Sequence, residues 1–562
     1  MKVLGIHVGH DSSAALVVDG RIVADAAEER FGRSKHCAGL PRRAIDFCLK
    51  RALATEGPID AIAVSTARPV PQLSQWLAAR VDGPADAGLA TSVGERARRL
   101  LAAPALEPPL YLRETRLSQV PVLPVPHHLA HAASAYYTCG SRRKQLVVTM
   151  DGSGDGCSTA LWRGEHGRLE PLLELGESAS LGWFYGCVTE ALGWWHGDGE
   201  GKTMGLAAFG DHGGPARGSL DRFHPRFAGG QLVEPHDFGR PSYWNEAGAL
   251  HWHLREAVEV RRLIEEHGRE AVAAEAQRVL EEQVCALVLP WLEREGVDEI
   301  ACAGGVFLNV KLNQRLWETG RLARQHIFPN AGDGGLAAGA ALQVHFRLQP
   351  REEIPALGGM DLGPEYTDQE VERCLEVRRL AYRRADDPAE EAARLLAEGA
   401  VIGWFQGRME SGPRALGNRS ILMGAADPRN RDVLNARVKF RESFRPYCPS
   451  LLEESRDLYL EGARVEAFMT TSFRATREAA ARVPAAVHVD ETVRPQMVNQ
   501  EADPRFWRLL SRFAELTGES LLLNTSFNLA GEPLVNSPSD AIRCFFDSGL
   551  DALVLHDFVL RK

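Results

Sequence analysis

Short apolar runs broken by glycine-rich polar turns open the chain. Val3 to Ile6 and Ala14 to Val18 are β-rich and joined by the polar turn Gly9, His10, Asp11, and Asp19-Gly20 is a hairpin signal into Arg21 to Ala24. A second run, Leu146 to Met150, leads into Asp151-Gly152-Ser153-Gly154-Asp155-Gly156, so the strand-then-glycine-turn design occurs twice and predicts a duplicated α/β core. From Glu270 to Arg294 the period becomes helical, with Val272, Ala276, Val279, Leu280, Val284, Leu287 and Val288 on one side. This helix feeds Ile300-Ala301-Cys302-Ala303-Gly304-Gly305, and the alternation of strand, turn and helix predicts an α/β architecture with a partly parallel sheet. The charged, Pro/Gly-rich stretch Gln349 to Asp368 separates this pattern from a new helix at Pro388 to Glu398 and a strand at Val401 to Phe405. Two domains are expected, 1–355 and 356–562.

Composition narrows the class. Of 562 residues, 44% are apolar and 25% charged, the profile of a folded soluble protein. The net charge of -10 is spread along the chain with no basic arm, which argues against a nucleic-acid partner. Ten cysteines without a C-x-x-C pair argue against a zinc ribbon or a secreted disulfide framework and fit reduced thiols in the cytoplasm. Gly, His and Asp interrupt the N-terminal apolar stretch, so neither a signal peptide nor a membrane span is expected there.

Metal chemistry enters with His127-His128-Leu129-Ala130-His131-Ala132-Ala133. A helix here sets His127 and His131 one turn apart on one face, where they can share an ion. Asp333, in the turn Gly332-Asp333-Gly334-Gly335 before the small-residue helix Leu336 to Leu342, and Asp151 in its own turn offer hard oxygens. Such a mixed N/O set suits iron or manganese better than structural zinc. By itself Asp333 also fits an N-cap, and the histidine pair a helix that simply carries surface or core histidines.

Together, His127-x-x-x-His131, the Asp151 turn, Ala303-Gly304-Gly305-Val306 with Asn309, and Gly332-Asp333-Gly334-Gly335 resemble the universal tRNA threonylcarbamoyl-transferase domain of the actin-like ATPase superfamily. The stretches GHDSSAALVVDG, EERFGRSKH, HHLAHAASAYY, EGKTMGLAAFG, GPRALGNRSIL and LNTSFNLAGEPLVNSP, in order over nearly the whole chain, resemble the NodU/CmcH family of O-carbamoyltransferases. The resemblance implies an N-terminal duplicated actin-like (threonylcarbamoyl-transferase-like) domain holding Fe(II) or another divalent metal, and a C-terminal YrdC-like α/β domain using ATP with Mg2+. The second domain is then expected to condense carbamoyl phosphate with ATP, giving carbamoyladenylate and pyrophosphate. The first transfers the carbamoyl group to a small-molecule hydroxyl, releasing AMP. An antibiotic, macrolide, ansamycin, aminoglycoside or Nod-type sugar hydroxyl would serve.

Residue by residue, adenylation must hold two polyanions, and Arg414, Arg419, Lys439, Arg441 and Arg445 supply cations for them. Lys439-Phe440-Arg441 and Ser526-Phe527-Asn528 match the family's K-x-R and S-x-N patterns, which form the nucleotide and carbamoyl phosphate site. No Walker-type sequence occurs, so a P-loop is not the route. For transfer, His10 is the candidate to orient or deprotonate the acceptor, with Asp151 and Lys202 beside it; a turn histidine capping the hairpin is the other reading. Lys35 and Lys202 match family positions near the intermediate, and Gly304, Gly305 and Asn309 are expected to admit and hydrogen-bond the adenylate. Trp183, Trp194, Trp195, Trp244 and Trp252 are candidates to line an acceptor pocket. The absence of zinc-finger cysteine pairs disfavours a hydrogenase-maturation enzyme. An actin-like or chaperone-like ATPase scaffold would explain the glycine turns but not the histidine pair or the C-terminal cations.

Overall fold

The computed structural model describes residues 1–55, 57–66, 120–211, 213–239, 242–246 and 249–562, with side chains described outside 242–252. The first half is built on two five-stranded sheets. One contains β1 (Lys2–His7), β2 (Ser13–Val18), β3 (Arg21–Ala27), β4 (Ala61–Val64) and β5 (Val122–Pro124), in the order β3-β2-β1-β4-β5. The other contains β6 (Gln145–Gly154), β7 (Cys157–Glu165), β8 (Arg168–Gly176), β9 (Glu299–Ala303) and β10 (Arg324–Ile327), in the order β8-β7-β6-β9-β10. In each sheet the first three strands form an antiparallel meander and the last two add in parallel. The expected duplication is therefore present strand for strand. Asp19-Gly20 and Asp155-Gly156 both hold positive φ at both positions, the backbone a two-residue hairpin turn requires.

Two helices, His127–Tyr136 and Leu336–Leu348, lie between the sheets and share one apolar core with Val3, Ala15 and Ala61 of one and Val147, Ala160 and Ala301 of the other. Their alanines and glycines permit a very close approach: a Cβ at Gly339 would stand 1.9 Å from the Ala130 carbonyl oxygen. The Gly339→Ala substitution is expected to cost about 3 kcal/mol because backbone, not a flexible side chain, blocks the methyl. A urea unfolding curve checks it. Both helix N-termini and the C-terminal ends of β1, β6 and β9 open on the same crevice, where strand order reverses and α/β sheets bind ligands.

The second half is a mixed eight-stranded sheet. Its strands are β11 (Arg383–Arg384), β12 (Ile402–Phe405), β13 (Arg419–Gly424), β14 (Cys448–Leu452), β15 (Gln496–Val498), β16 (Leu521–Ser526), β17 (Ala552–Leu555) and β18 (Phe558–Arg561). They run in the order β11-β18-β17-β12-β13-β16-β14-β15. Helices Pro388–Ala397 and Pro504–Thr517 pack on the face of Ile402, Trp404 and Leu422, and helix Pro538–Phe546 packs on the other. The connecting stretch is pinned to the first half, Leu357 donating to the Thr138 carbonyl (2.9 Å) and Asp25 to that of Leu362 (3.2 Å). Arginines fasten the halves together: Arg30 Nη2 donates to the Gly412 carbonyl at 2.7 Å and Arg408 Nη2 to that of Val23 at 2.9 Å. Among the described residues no helix is long and apolar enough to cross a membrane.

Candidate active site

Four side chains meet in the crevice. His127 is the first residue of its helix, and its backbone N–H donates to Asp155 Oδ2 at 3.0 Å, satisfying one free donor of that helix end. One turn on, His131 Nε2 lies 3.1 Å from His127 Nε2 and 3.1 Å from Asp151 Oδ2. Asp333 Oδ1, from the turn that starts the second helix, is 3.6 Å from each of the two ring nitrogens. The donor atoms of all four lie within 4.8 Å of one another, and Asp333, His127 and His131 are buried.

The two carboxylates dominate the electrostatics of this cluster. Burial alone would lower the His131 pKa, yet Asp151 and Asp333 overcome it and raise it to about 9. Burial likewise opposes ionisation of the carboxylates, but the histidines hold Asp151 well below the usual range, and His10 and His127 hold Asp333 at about 2. The buried Asp333 and the partly buried Asp151 thus face the two imidazoles as carboxylates. The residues fit a divalent metal: two nitrogens and two hard oxygens are a donor set for iron, manganese or zinc. Asp151 is oriented by the Gly152 N–H on Oδ1 (2.7 Å) and the Gly305 N–H on Oδ2 (3.3 Å).

A chain of ion pairs leads away from this cluster. His10 Nδ1 is 3.5 Å from Asp333 Oδ2 and its Nε2 is 3.8 Å from Asp11 Oδ2. Burial lowers the His10 pKa, but Asp333 and Asp11 more than compensate, so the net shift is upward. His36 joins Asp11 (2.8 Å) to Asp198 (3.6 Å); burial opposes its charge, yet these carboxylates raise its pKa to about 10. Lys35 pairs with the same Asp198 at 3.0 Å. Lys202 reaches across to Glu442 of the second half at 3.1 Å.

Beyond these pairs lie the C-terminal cations. A rare π-turn, Asn435–Lys439, ends in Phe440 at φ 45° and directs Lys439 inward. Lys439 Nζ donates to the Ser526 carbonyl (2.6 Å), Ser526 Oγ (3.2 Å), the Asn528 carbonyl (3.2 Å) and Asn528 Oδ1 (2.6 Å). Desolvation, with Arg441 and Arg445 adding to it, lowers its pKa to about 7, and Lys35 contributes in the same direction. Arg441 Nε donates to Asn435 Oδ1 at 3.1 Å. Arg414 is pushed down to about 9, first by the neighbouring Arg494 guanidinium and then by burial, with Arg445 adding to the repulsion. Lys439, Arg441, Arg445, Arg414 and Arg494 thus form a group of mutually repelling cations.

The remaining expected residues are placed as follows. Arg419 is not brought to the cluster: fully buried, it donates to the carbonyls of Gln406 (2.5 Å), Asn418 (3.0 Å), Gly407 (3.1 Å) and Pro364 (3.4 Å) and stacks on Phe405. Asn309 caps the helix Val310–Glu318 through Leu312 N–H (2.9 Å) and pairs with Gln277. Gly304 sits at φ 101°, where a Cβ would stand 2.1 Å from the Met150 carbonyl oxygen, so close backbone packing requires it. Trp183 lies edge-on to His196 and over Gly152, next to Asp151, whereas Trp194 packs on Phe444 of the second half. Trp195 is half exposed, and the side chains of Trp244 and Trp252 lie outside the described ones. Sequence reasoning passed over Arg494, Glu442, Asp198, His36, His7 and Ser65. His36 adjoins Lys35 and Glu442 adjoins Arg441, the signals that could have found them.

The chain matches the carbamoyltransferase N-terminus family over residues 2–342 and the carbamoyltransferase C-terminus family over residues 393–562, and it belongs to the carbamoyltransferases. It is 37% identical to nodulation protein NolNO of Sinorhizobium fredii, over 98% of this chain and 79% of that protein. It is 40% identical to nodulation protein NolO of Bradyrhizobium diazoefficiens, over 78% of each, and 36% identical to uncharacterized protein sll1178 of Synechocystis sp., over 98% and 95%. Among solved structures it is similar to full-length HypF in the phosphate- and nucleotide-bound form (TM-score 0.31, 13% identity, 62% of this chain and 56% of that one).

Proposed function

We propose that the chain is an ATP-dependent O-carbamoyltransferase with an actin-like transfer domain, residues 1–355, and a YrdC-like adenylating domain, residues 356–562. The observation that carries this reading is the pairing of two unlike sites in one chain, a four-donor cluster of histidines and aspartates and a cluster of cations, with the ion pair Lys202–Glu442 crossing between the halves. The first prepares a carbonyl for attack; the second holds phosphates.

In the second domain, Lys439, Arg441, Arg445 and Arg414 bind ATP and carbamoyl phosphate, with Ser526 and Asn528 orienting the lysine. The phosphate of carbamoyl phosphate leaves with water as inorganic phosphate, and the carbamate oxygen attacks the α-phosphorus of ATP. Pyrophosphate departs and carbamoyladenylate forms. In the first domain an acceptor oxygen attacks the carbamoyl carbon as the carbon–oxygen bond to AMP breaks. His10, flanked by Asp333 and Asp11, takes the acceptor proton, and the two carboxylates stabilise the imidazolium that results. Lys35 and Lys202 neutralise the phosphate of the intermediate between the sites. Held by His127, His131, Asp151 and Asp333, Fe(II) or another divalent ion supplies Lewis-acid polarisation or an anchor for an oxygen.

The test is exchange of labelled pyrophosphate into ATP by the full-length protein. Exchange is expected to require carbamoyl phosphate and no acceptor. A protein that releases phosphate from ATP without such exchange is no carbamoyladenylate synthase.

A further inference from the structure

We propose that His7, set by Ser65, is the positioning residue that holds His10 in place for carbamoyl transfer; this rests on the transfer role given to His10 above. His7 ends β1 with a buried side chain directly beneath the turn that carries His10. Its Nε2 lies 3.0 Å from the His10 carbonyl oxygen and its Nδ1 lies 2.7 Å from Ser65 Oγ. A carbonyl only accepts, so Nε2 carries the ring proton. Nδ1 is then the acceptor, and the Ser65 hydroxyl donates to it. Ser65 is itself fixed by its backbone N–H on the Ile6 carbonyl (3.2 Å), which ties β4 to β1.

The ring also sets the height of the turn. A Cβ on Gly9 would stand 2.6 Å from His7 Nε2, so the chain rests on the imidazole edge and only glycine permits that contact. From the other side Ser12 N–H is held by the Cys37 carbonyl at 2.9 Å, and between these supports Asp11 adopts a left-handed φ of 57°. His10 is thereby presented to Asp333 at 3.5 Å. His7 Nε2 stands 3.7 Å from the same carboxylate, near enough to suggest a fifth ligand, but a nitrogen bearing a proton has no lone pair for a metal. Its directed bond goes to the His10 backbone.

Four full-length proteins test this: wild type, His7→Phe, His7→Gln and Ser65→Ala. Phenylalanine fills the space without a donor, whereas the glutamine amide nitrogen reaches about as far as Nε2. Pyrophosphate exchange, metal content by elemental analysis and AMP release are measured, with glycerol as the hydroxyl probe and water as the competing acceptor. In His7→Phe, AMP release is expected to fall on the order of 10- to 100-fold in kcat, as for a catalytic group displaced by about an ångström, with exchange and metal content at wild-type levels. In His7→Gln most of the rate returns, and Ser65→Ala falls between. A crystal structure of His7→Phe should show His10 moved away from Asp333, and one of His7→Gln should show it in place. The proposal is overturned if His7→Phe leaves His10 and AMP release unchanged, if it loses the metal, or if glutamine rescues nothing. Absence of exchange in the wild type would instead sink the underlying reading.

Discussion

Replacing His131 by alanine is expected to abolish carbamoyl transfer, by on the order of 10²–10³-fold or more, while pyrophosphate exchange stays near the wild-type rate. The reasoning is local. His131 is 1% exposed, and its Nε2 is the imidazole nitrogen nearer to Asp151. Without it, Asp151 and Asp333 keep their negative charges in a buried crevice with His127 and His10 as the nearest counter-charges, and the carboxylate pKa values rise toward the range that burial favours. A four-donor set becomes a three-donor set with a cavity, so bound divalent metal is expected to drop below stoichiometric amounts. Lys439 is held by Ser526 and Asn528, whereas His131 contacts His127, Asp151 and Asp333, which is why exchange should survive. Elemental analysis, the exchange rate and AMP release in the presence of a hydroxyl acceptor check the three parts. Loss of exchange in a folded variant would contradict two separate sites.

The contrast between what the sequence disclosed and what it hid has a physical basis. Local patterns were legible: short apolar runs bounded by turn residues gave β1 to β3, and the i, i+4 spacing of His127 and His131 implied one helix face. The Asp-Gly pairs marked hairpins because only certain residues tolerate positive φ there. Even the duplication could be read, since both copies begin with the same strand and turn. Through-space partners were hidden. Arg494 is a single arginine in an unremarkable loop, and only folding brings it against Arg414 and Cys448. Glu442 meets Lys202 from the other end of the chain, and Asp198 meets Lys35 across more than a hundred and sixty residues. Arg419 shows the converse, for a cation in a motif looks like a phosphate ligand until its carbonyl partners are seen. The matching topology of the two sheets was partly hidden as well, because β9 and β10 lie far along the chain from β6, beyond the long helix Arg269–Glu295.

Lys439 should make adenylation sensitive to pH near neutrality. Its pKa falls from 10.5 to about 7, first because burial disfavours the ammonium and then because Arg441 and Arg445 repel it; Cys544 and the oxygens of Ser526 and Asn528 face it from the other elements. In the free enzyme the lysine is therefore charged below about pH 7 and neutral above it. Only the charged form attracts triphosphate and carbamoyl phosphate, so kcat/KM for pyrophosphate exchange is expected to fall as pH rises through about 7, as the free-enzyme titration is what that parameter reports. Bound phosphates favour the ammonium, so in the substrate complex the pKa climbs and kcat falls only at higher pH. Lys439→Met removes the charge at every pH. Exchange should then drop by about 10²-fold or more and lose this limb, while carbamoyladenylate supplied from outside is still transferred. A methionine variant that keeps the wild-type pH profile would take Lys439 out of the phosphate site, and one that loses transfer of supplied intermediate would place the lysine in the second step instead.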